Sequence, residues 1–144
     1  MPSTASDPVT VYIAEDNPIL LHGLKRALTE NGYNVDTAVD GVAILELLKA
    51  RPLPDILLLD VMMPGLSGVE VLDAVRAEPE TAELPVMLIT AAVEEVLPES
   101  SLRERRVEVL LKPFRIHELL DRIESNVASR RRRKISPGGV AGGV

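Results

Sequence analysis

The 144-residue chain is long enough for one domain that buries roughly two-thirds of its unfolded surface. Hydrophobic residues make up 46% of it but aromatics only 2%, so the core has to be built from Leu, Val, Ile and Ala. Net charge is −6, yet Arg130–Lys134 holds five of the 16 bases; the 11 bases and 22 acids elsewhere argue against a nucleic-acid-binding domain and for one that holds cations or meets basic partners.

Cysteine is absent, which excludes disulfides and thiolate metal sites. Met1–Thr10 lacks the apolar stretch of a signal peptide, and no apolar run approaches the ~18 residues of a membrane span. A soluble cytoplasmic protein is the resulting expectation.

In chain order, residues 1–8 are polar with two prolines and read as a flexible arm. Val9–Ala14 is a first strand ending in Glu15-Asp16. Asn17 stands at an N-cap with Pro18 at the first helical position, and Leu20, Leu21, Leu24, Ala27 and Leu28 follow at helical spacing up to Gly32. Tyr33–Ala38 is a second strand, and Asp40-Gly41 opens a helix carrying Ile44, Leu47 and Leu48, ended by Pro52 and Pro54. Ile56–Leu59 is apolar at every position, as in a strand buried on both faces, and ends on Asp60. After the loop marked by Pro64, Gly65 and Gly68, Ser67-x-x-Glu70 has capping-box spacing for a helix with Val69, Leu72 and Val75 inward, closed by Pro79.

Pro85–Ile89 is a fourth strand, followed by Thr90-Ala91-Ala92. Residues 93–106 read as a helix interrupted by Pro98. Val107–Leu111 is a fifth strand ending in Lys112-Pro113-Phe114, and the last helix places Ile116, Leu119, Leu120, Ile123 and Val127 on one side. Residues 129–144 are basic and then Gly-rich, without periodicity, and read as a tail or linker after a domain at 9–128. Five alternations of strand and helix imply an α/β fold: a doubly wound parallel sheet with helices on both faces.

In such a sheet the strand carboxyl ends share one edge, where ligands bind. That edge collects Glu15, Asp16, Asp60, Thr90 and Lys112. Three carboxylates together repel, so either a pKa rises or a cation neutralises them. An all-oxygen ligand set selects a hard cation, usually Mg2+, to which Asp16 and Asp60 can each supply an oxygen. A carboxylate can also attack phosphorus to give an acyl phosphate. The cation, the Lys112 ammonium and the Thr90 hydroxyl would then each neutralise one phosphoryl oxygen. Singly these residues have plainer uses: acids at a helix start, a β-forming Thr, a solvated Lys. His22 and His117 fall on helices away from the edge and read as surface residues, and Met62 and Met63 read as loop packing.

Over roughly Val9–Val127 the chain resembles the receiver domains of two-component response regulators. The resemblance rests on Glu15-Asp16, Asp60-x-x-x-Pro64-x-x-x-Gly68, Thr90-Ala91 and Lys112-Pro113-Phe114, in order at the ends of strands one, three, four and five. It implies a flavodoxin-like fold with strand order 2-1-3-4-5. It also implies that Asp60 accepts a phosphoryl group from a phosphohistidine on a sensor histidine kinase or histidine phosphotransfer protein. Glu15 and Asp16 would form the acidic pocket, with Asp16, Asp60 and the Met62 carbonyl ligating Mg2+. Lys112 would contact the phosphoryl group, and the Lys112–Pro113 bond would be cis. Such a domain is a signalling module rather than an enzyme, though it catalyses its own phosphoryl transfer and dephosphorylation. Its output would pass to a downstream protein at the face of the fourth helix, fifth strand and fifth helix. A homodimer is compatible with this, and binding of nucleic acid or membrane is not expected. Whether the chain acts alone or beside an effector domain stays open.

Two other readings fit less well. A Mg2+-dependent phosphatase of the haloacid-dehalogenase kind wants a second acid two residues after its nucleophile, where Met62 stands, and a cap domain for which there is no room. A flavodoxin wants a Ser/Thr-rich phosphate cradle after strand one, where the chain is acidic.

The chain also departs from the family it resembles. Val109 occupies the position three before the lysine where an aromatic switch residue is common, so signalling is expected to use loops and the fourth helix without an aromatic toggle. Arg105-Arg106 replace a small pair before strand five, and with Arg103 and Arg115 predict a basic output face. The side chains two after Asp60 and two after Thr90, which in the family influence attack by water on the acyl phosphate, are Met62 and Ala92. Neither orients a water, so the phosphorylated form should decay slowly without a phosphatase. Its lifetime, followed by loss of radiolabel after the donor is removed, should exceed that of receivers with polar residues there; an equal or shorter lifetime would refute this.

Overall fold

A computed structural model describes residues 8–50, 52–91 and 97–142, with side chains described to residue 131. The expected arm lies almost wholly outside these residues, as do Ala92 and the first turn of the expected fourth helix. The elements are β1 (Thr10–Ala14), α1 (Pro18–Glu30), β2 (Asn34–Ala38), α2 (Gly41–Ala50), β3 (Ile56–Asp60), α3 (Gly68–Ala77), β4 (Val86–Thr90), α4 (Glu99–Arg105), β5 (Val107–Leu111) and α5 (Ile116–Gly142). The strands form one sheet in the order β2-β1-β3-β4-β5, every pair parallel, giving the flavodoxin-like arrangement expected from sequence.

Alternation along each strand sorts side chains into two cores. Tyr12, Ala14, Leu57, Leu59 and Leu88 face Ile44 and Leu48 of α2 and Val71, Leu72 and Val75 of α3. Val11, Ile13, Leu58, Met87, Ile89 and Leu110 face Leu21, Leu24 and Leu28 of α1 and Leu119, Ile123 and Val127 of α5. All five residues of β3, and of β4, are buried, which accounts for their unbroken apolar runs. By contrast, α4 contributes no buried residue.

Helix starts are fixed locally. The Asn17 side chain accepts from the N–H groups of Ile19 and Leu20, with Pro18 where its missing N–H costs nothing. Asp40 Oδ1 accepts from Ala43 N at 2.8 Å, and Ser67 and Glu70 form the complete capping box. Met63 packs into the α2–α3 core, but the Met62 side chain is 57% exposed, so only one of the two methionines packs the loop.

Three features differ from the sequence expectation. Pro98 sits at the N-cap of α4, so the described helix begins after the proline; lacking an N–H, Pro is suited to a helix start. Helix α5 does not stop near residue 128 but continues to Gly142. Arg and Lys are good helix formers, which accounts for the helix through Arg130–Lys134; its continuation over Pro137, Gly138 and Gly139 runs against their propensity. Finally, the arginines before β5 do not make a free basic face. Arg105 pairs with Asp73 at 2.7 Å, Arg106 with Glu83 at 2.8 Å and Arg103 with Glu99 at 3.8 Å, while Arg115, after β5, is exposed. Asp73 of α3 and Glu83 on the approach to β4 are brought to Arg105 and Arg106 by the tertiary fold, whereas Glu99 and Arg103 are a local i,i+4 pair.

Gly68 opens α3 directly against the end of β3. A Cβ there would lie 2.4 Å from the Asp60 carbonyl oxygen and 3.0 Å from Val61 Cα, while a Cβ on Gly23, within α1, meets nothing within 4 Å. Gly68→Ala should therefore cost about 1–3 kcal/mol through overpacking, and Gly23→Ala should add about 0.5–1 kcal/mol. Urea denaturation of both variants checks the pair.

Candidate functional site

The site stands where β1, β3, β4 and β5 end. Glu15 and Asp16 directly follow β1, whose exit is tied to β2 by Glu15 N donating to the Ala38 carbonyl at 3.1 Å. Asp60 closes β3, and Val61 N donates across to the Ile89 carbonyl at 3.0 Å. Thr90 closes β4 and is fully buried; its carbonyl accepts from Lys112 N at 2.8 Å, locking the ends of β4 and β5 together. The Lys112–Pro113 peptide is cis.

This framework brings Glu15, Asp16, Asp60 and Lys112 together. Carboxylate oxygens of Glu15, Asp16 and Asp60 lie within 4.8 Å of one another, with Glu15 and Asp60 buried and Asp16 exposed. Lys112 Nζ donates to Glu15 Oε1 at 3.2 Å and to Asp60 Oδ1 at 3.3 Å. The second Glu15 oxygen accepts from Asn17 N at 3.0 Å. Asn17 therefore caps α1 with its side chain and orients Glu15 with its backbone. Only the first role is written in the sequence, because a backbone donor leaves no mark in residue identity.

The electrostatics follow from burial. Asp60 is pushed from 3.8 up to about 6, first by desolvation and then by the Glu15 charge, with Asp16 adding to this; Lys112 opposes the rise without cancelling it. Burial works against the Lys112 ammonium, but the Asp60 and Glu15 charges outweigh it and raise its pKa. One ammonium is thus shared by two buried carboxylates, with a third acid alongside. A set of oxygen donors with excess negative charge and an exposed member suits a hard divalent cation.

Thr90 lies at the neighbouring strand end. Met62 is in the loop two residues beyond Asp60, and Val109 is half-buried on β5 against the α2–α3 core. His22 of α1 and His117 of α5 are exposed.

A parallel sheet in the order 2-1-3-4-5, with acids after β1, an aspartate closing β3, Thr at the end of β4 and Lys after β5, is the arrangement of receiver domains in two-component signalling. A family model described as the response regulator receiver domain matches residues 11–124, and the chain belongs to that family. It is 40% identical over 129 residues to the sensor histidine kinase TmoS of Ectopseudomonas mendocina, covering 90% of this chain and 13% of that protein. It is 38% identical over 120 residues to the probable transcriptional regulatory protein TcrX of Mycobacterium tuberculosis, covering 82% of this chain and 49% of that one. The chain thus spans half or less of the length of these relatives. Among solved structures, the response regulator TrrA of Thermotoga maritima, in complex with Mg2+-BeF, superposes with a TM-score of 0.71 at 28% identity, covering 82% of this chain and 98% of that one. Among the described residues no helix is long and apolar enough to cross a membrane.

The raised Asp60 pKa has a stability consequence. Its carboxyl ionises less readily folded than unfolded, so its contribution is fully present below pH ~3.8 and is lost as pH rises through about 6. In metal-free buffer Asp60→Asn should therefore stabilise the protein at pH 7–8 by about 2 kcal/mol, a gain that vanishes toward pH 4. Denaturant midpoints across pH check this.

Proposed function

We propose that Asp60 is the phosphoryl acceptor of this receiver domain, taking the group from a phosphohistidine on a sensor histidine kinase or histidine phosphotransfer protein. The observation that carries this reading is the convergence of Glu15, Asp16 and Asp60 on one strand edge with Lys112 Nζ between two of them. Asp16, Asp60 and the Met62 carbonyl would hold Mg2+. When bound, the ion supplies positive charge to a phosphoryl oxygen and relieves the repulsion among the acids.

The chain's own groups account for the rest. An ionised Asp60 oxygen attacks phosphorus as the phosphorus–nitrogen bond of the donor breaks, and the imidazole leaves with its electron pair and takes up a proton. The Lys112 ammonium, already at Asp60, moves its attraction from the carboxylate to the incoming phosphoryl oxygens. Thr90 offers its hydroxyl to another of them. Glu15, fixed by Asn17 N–H and Lys112, holds the lysine in place and adds negative charge that keeps a cation in the pocket.

The module is read as residues 9–128, acting in the cytoplasm and passing its state to a downstream protein through the α4-β5-α5 face rather than catalysing turnover of a metabolite. With Val109 in place of an aromatic, the transmitted change falls to the loops and α4.

Acetyl phosphate with Mg2+ should label the wild type at one site, shown by a mass gain of one phosphoryl group. Asp60→Asn should abolish the gain, and Asp16→Asn should raise the Mg2+ concentration needed by tenfold or more. Undiminished labelling of Asp60→Asn would overturn the assignment.

A further inference from the structure

The turn from β2 into α2 touches both halves of the acidic site. At one end the Ala38 carbonyl accepts from Glu15 N at 3.1 Å, and so bears on the segment that carries Glu15 and Asp16. At the other end Gly41 is buried against the loop that follows Asp60. A Cβ on Gly41 would stand 2.7 Å from Leu66 Cβ, 2.8 Å from Val71 Cγ2 and 2.9 Å from the Leu66 carbonyl oxygen. Asp40 stiffens the chain between these two contacts. Its Oδ1 accepts from Ala43 N at 2.8 Å and its carbonyl from Ile44 N at 3.1 Å, which fixes the start of α2. Residues 38–41 are thus a short, braced spacer between the tip of β1 and the loop 61–67.

A side chain at position 41 could not be accommodated by rotamer changes around it. Leu66 Cβ and the Leu66 carbonyl move only with the loop backbone, and Val71, β-branched and inside α3, has little freedom at χ1. The loop would have to give way at Leu66. Its two ends are held: Val61 N donates to the Ile89 carbonyl and Gly68 N to the Val61 carbonyl, both at 3.0 Å, and the Ser67–Glu70 box closes the start of α3. A displacement at Leu66 is therefore taken up by residues 62–66, among which stands the Met62 carbonyl.

We propose that Gly41 is a positioning residue that sets which cation the acidic site prefers. By letting α2 meet Leu66 with no side chain between them, it keeps the 62–66 segment, and with it the Met62 carbonyl, on the side of the β1 acids. The proposal rests on the reading of Asp16, Asp60 and the Met62 carbonyl as ligands. Mg2+ demands oxygens at about 2.0–2.1 Å in a near-ideal octahedron, whereas Ca2+ accepts about 2.3–2.6 Å in irregular geometry. A methyl group at position 41 pushes the loop away from the spacer and opens the ligand set, so Mg2+ is lost before Ca2+. Both ions carry the same charge, so a change in charge or in overall stability alone would leave their relative affinity where it was.

Calorimetric titration with Mg2+ and, separately, Ca2+ tests this on wild type, Gly41→Ala and Gly23→Ala, with circular dichroism to establish that each is folded. Gly41→Ala should raise the Kd for Mg2+ roughly tenfold or more and that for Ca2+ by no more than about threefold. Gly23→Ala, a helix glycine with open space around it, should bind both ions as the wild type does. If Gly41→Ala does not fold, Asp40→Ala carries the comparison. It adds no bulk but removes the bond to Ala43 N that braces the spacer, and should lower the preference for Mg2+ over Ca2+ about twofold or more. An unchanged ratio of the two affinities in the folded Gly41→Ala protein, or in Asp40→Ala where that stands in for it, would overturn the proposal and leave the cation site intact. Wild-type protein that takes up neither ion would overturn the cation site itself, and the role of Gly41 with it.

Discussion

One ammonium between two buried carboxylates is the constraint around which the rest of this domain is arranged. Glu15 and Asp60 come from strands that are neighbours in the sheet, and both are nearly sealed from water. Without Lys112 their repulsion and desolvation would work against the fold; with it, the charge is only partly balanced, since Asp16 stands alongside. The remaining imbalance is what makes the site receptive. A group carrying charge of either sign finds a partner already in place: a cation among the acids, or anionic oxygens at the lysine.

That arrangement needs stiff support, which the two cores provide. The central strands present every side chain to one hydrophobic layer or the other, so the strand ends cannot drift without disturbing α1 and α5 on one side or α2 and α3 on the other. The fourth helix stands apart. It places no residue in either core, and among the described residues Arg76 bonds the carbonyls of Arg105 and Arg106 at its end. The acidic cluster thus sits on the part of the domain that both cores support.

Most of this was legible in the sequence, for identifiable reasons. The β3 run is apolar at every position because both faces are covered, and the helices announce themselves through Asn17-Pro18 and the Ser67/Glu70 box. The meeting of Glu15, Asp16, Asp60 and Lys112 was legible because strand ends in a parallel sheet share an edge, so order along the chain implied proximity. What escaped depends on backbone groups or on pairs distant in sequence. Arg76 is an ordinary helix-surface arginine until the fold brings the carbonyls of Arg105 and Arg106 beside it. Arg105 and Arg106 read as a basic patch because Asp73 and Glu83 are 32 and 23 residues away along the chain. The continuation of α5 past residue 128 escaped because the sequence there has no apolar periodicity to mark it.

The contact between Gly68 and the Asp60 carbonyl also determines how a disturbance at Asp60 can travel. With no side chain between them, the tip of β3 and the first turn of α3 touch backbone to backbone, and the Gly68 N–H is bonded to the Val61 carbonyl at 3.0 Å. There is no slack in that seam, so strand and helix must shift as one body. The seam is as firm on the side of β4, where Val61 N–H is bonded to the Ile89 carbonyl at 3.0 Å, so the tip of β3 is clamped from both flanks and Asp60 sits on a fixed mount.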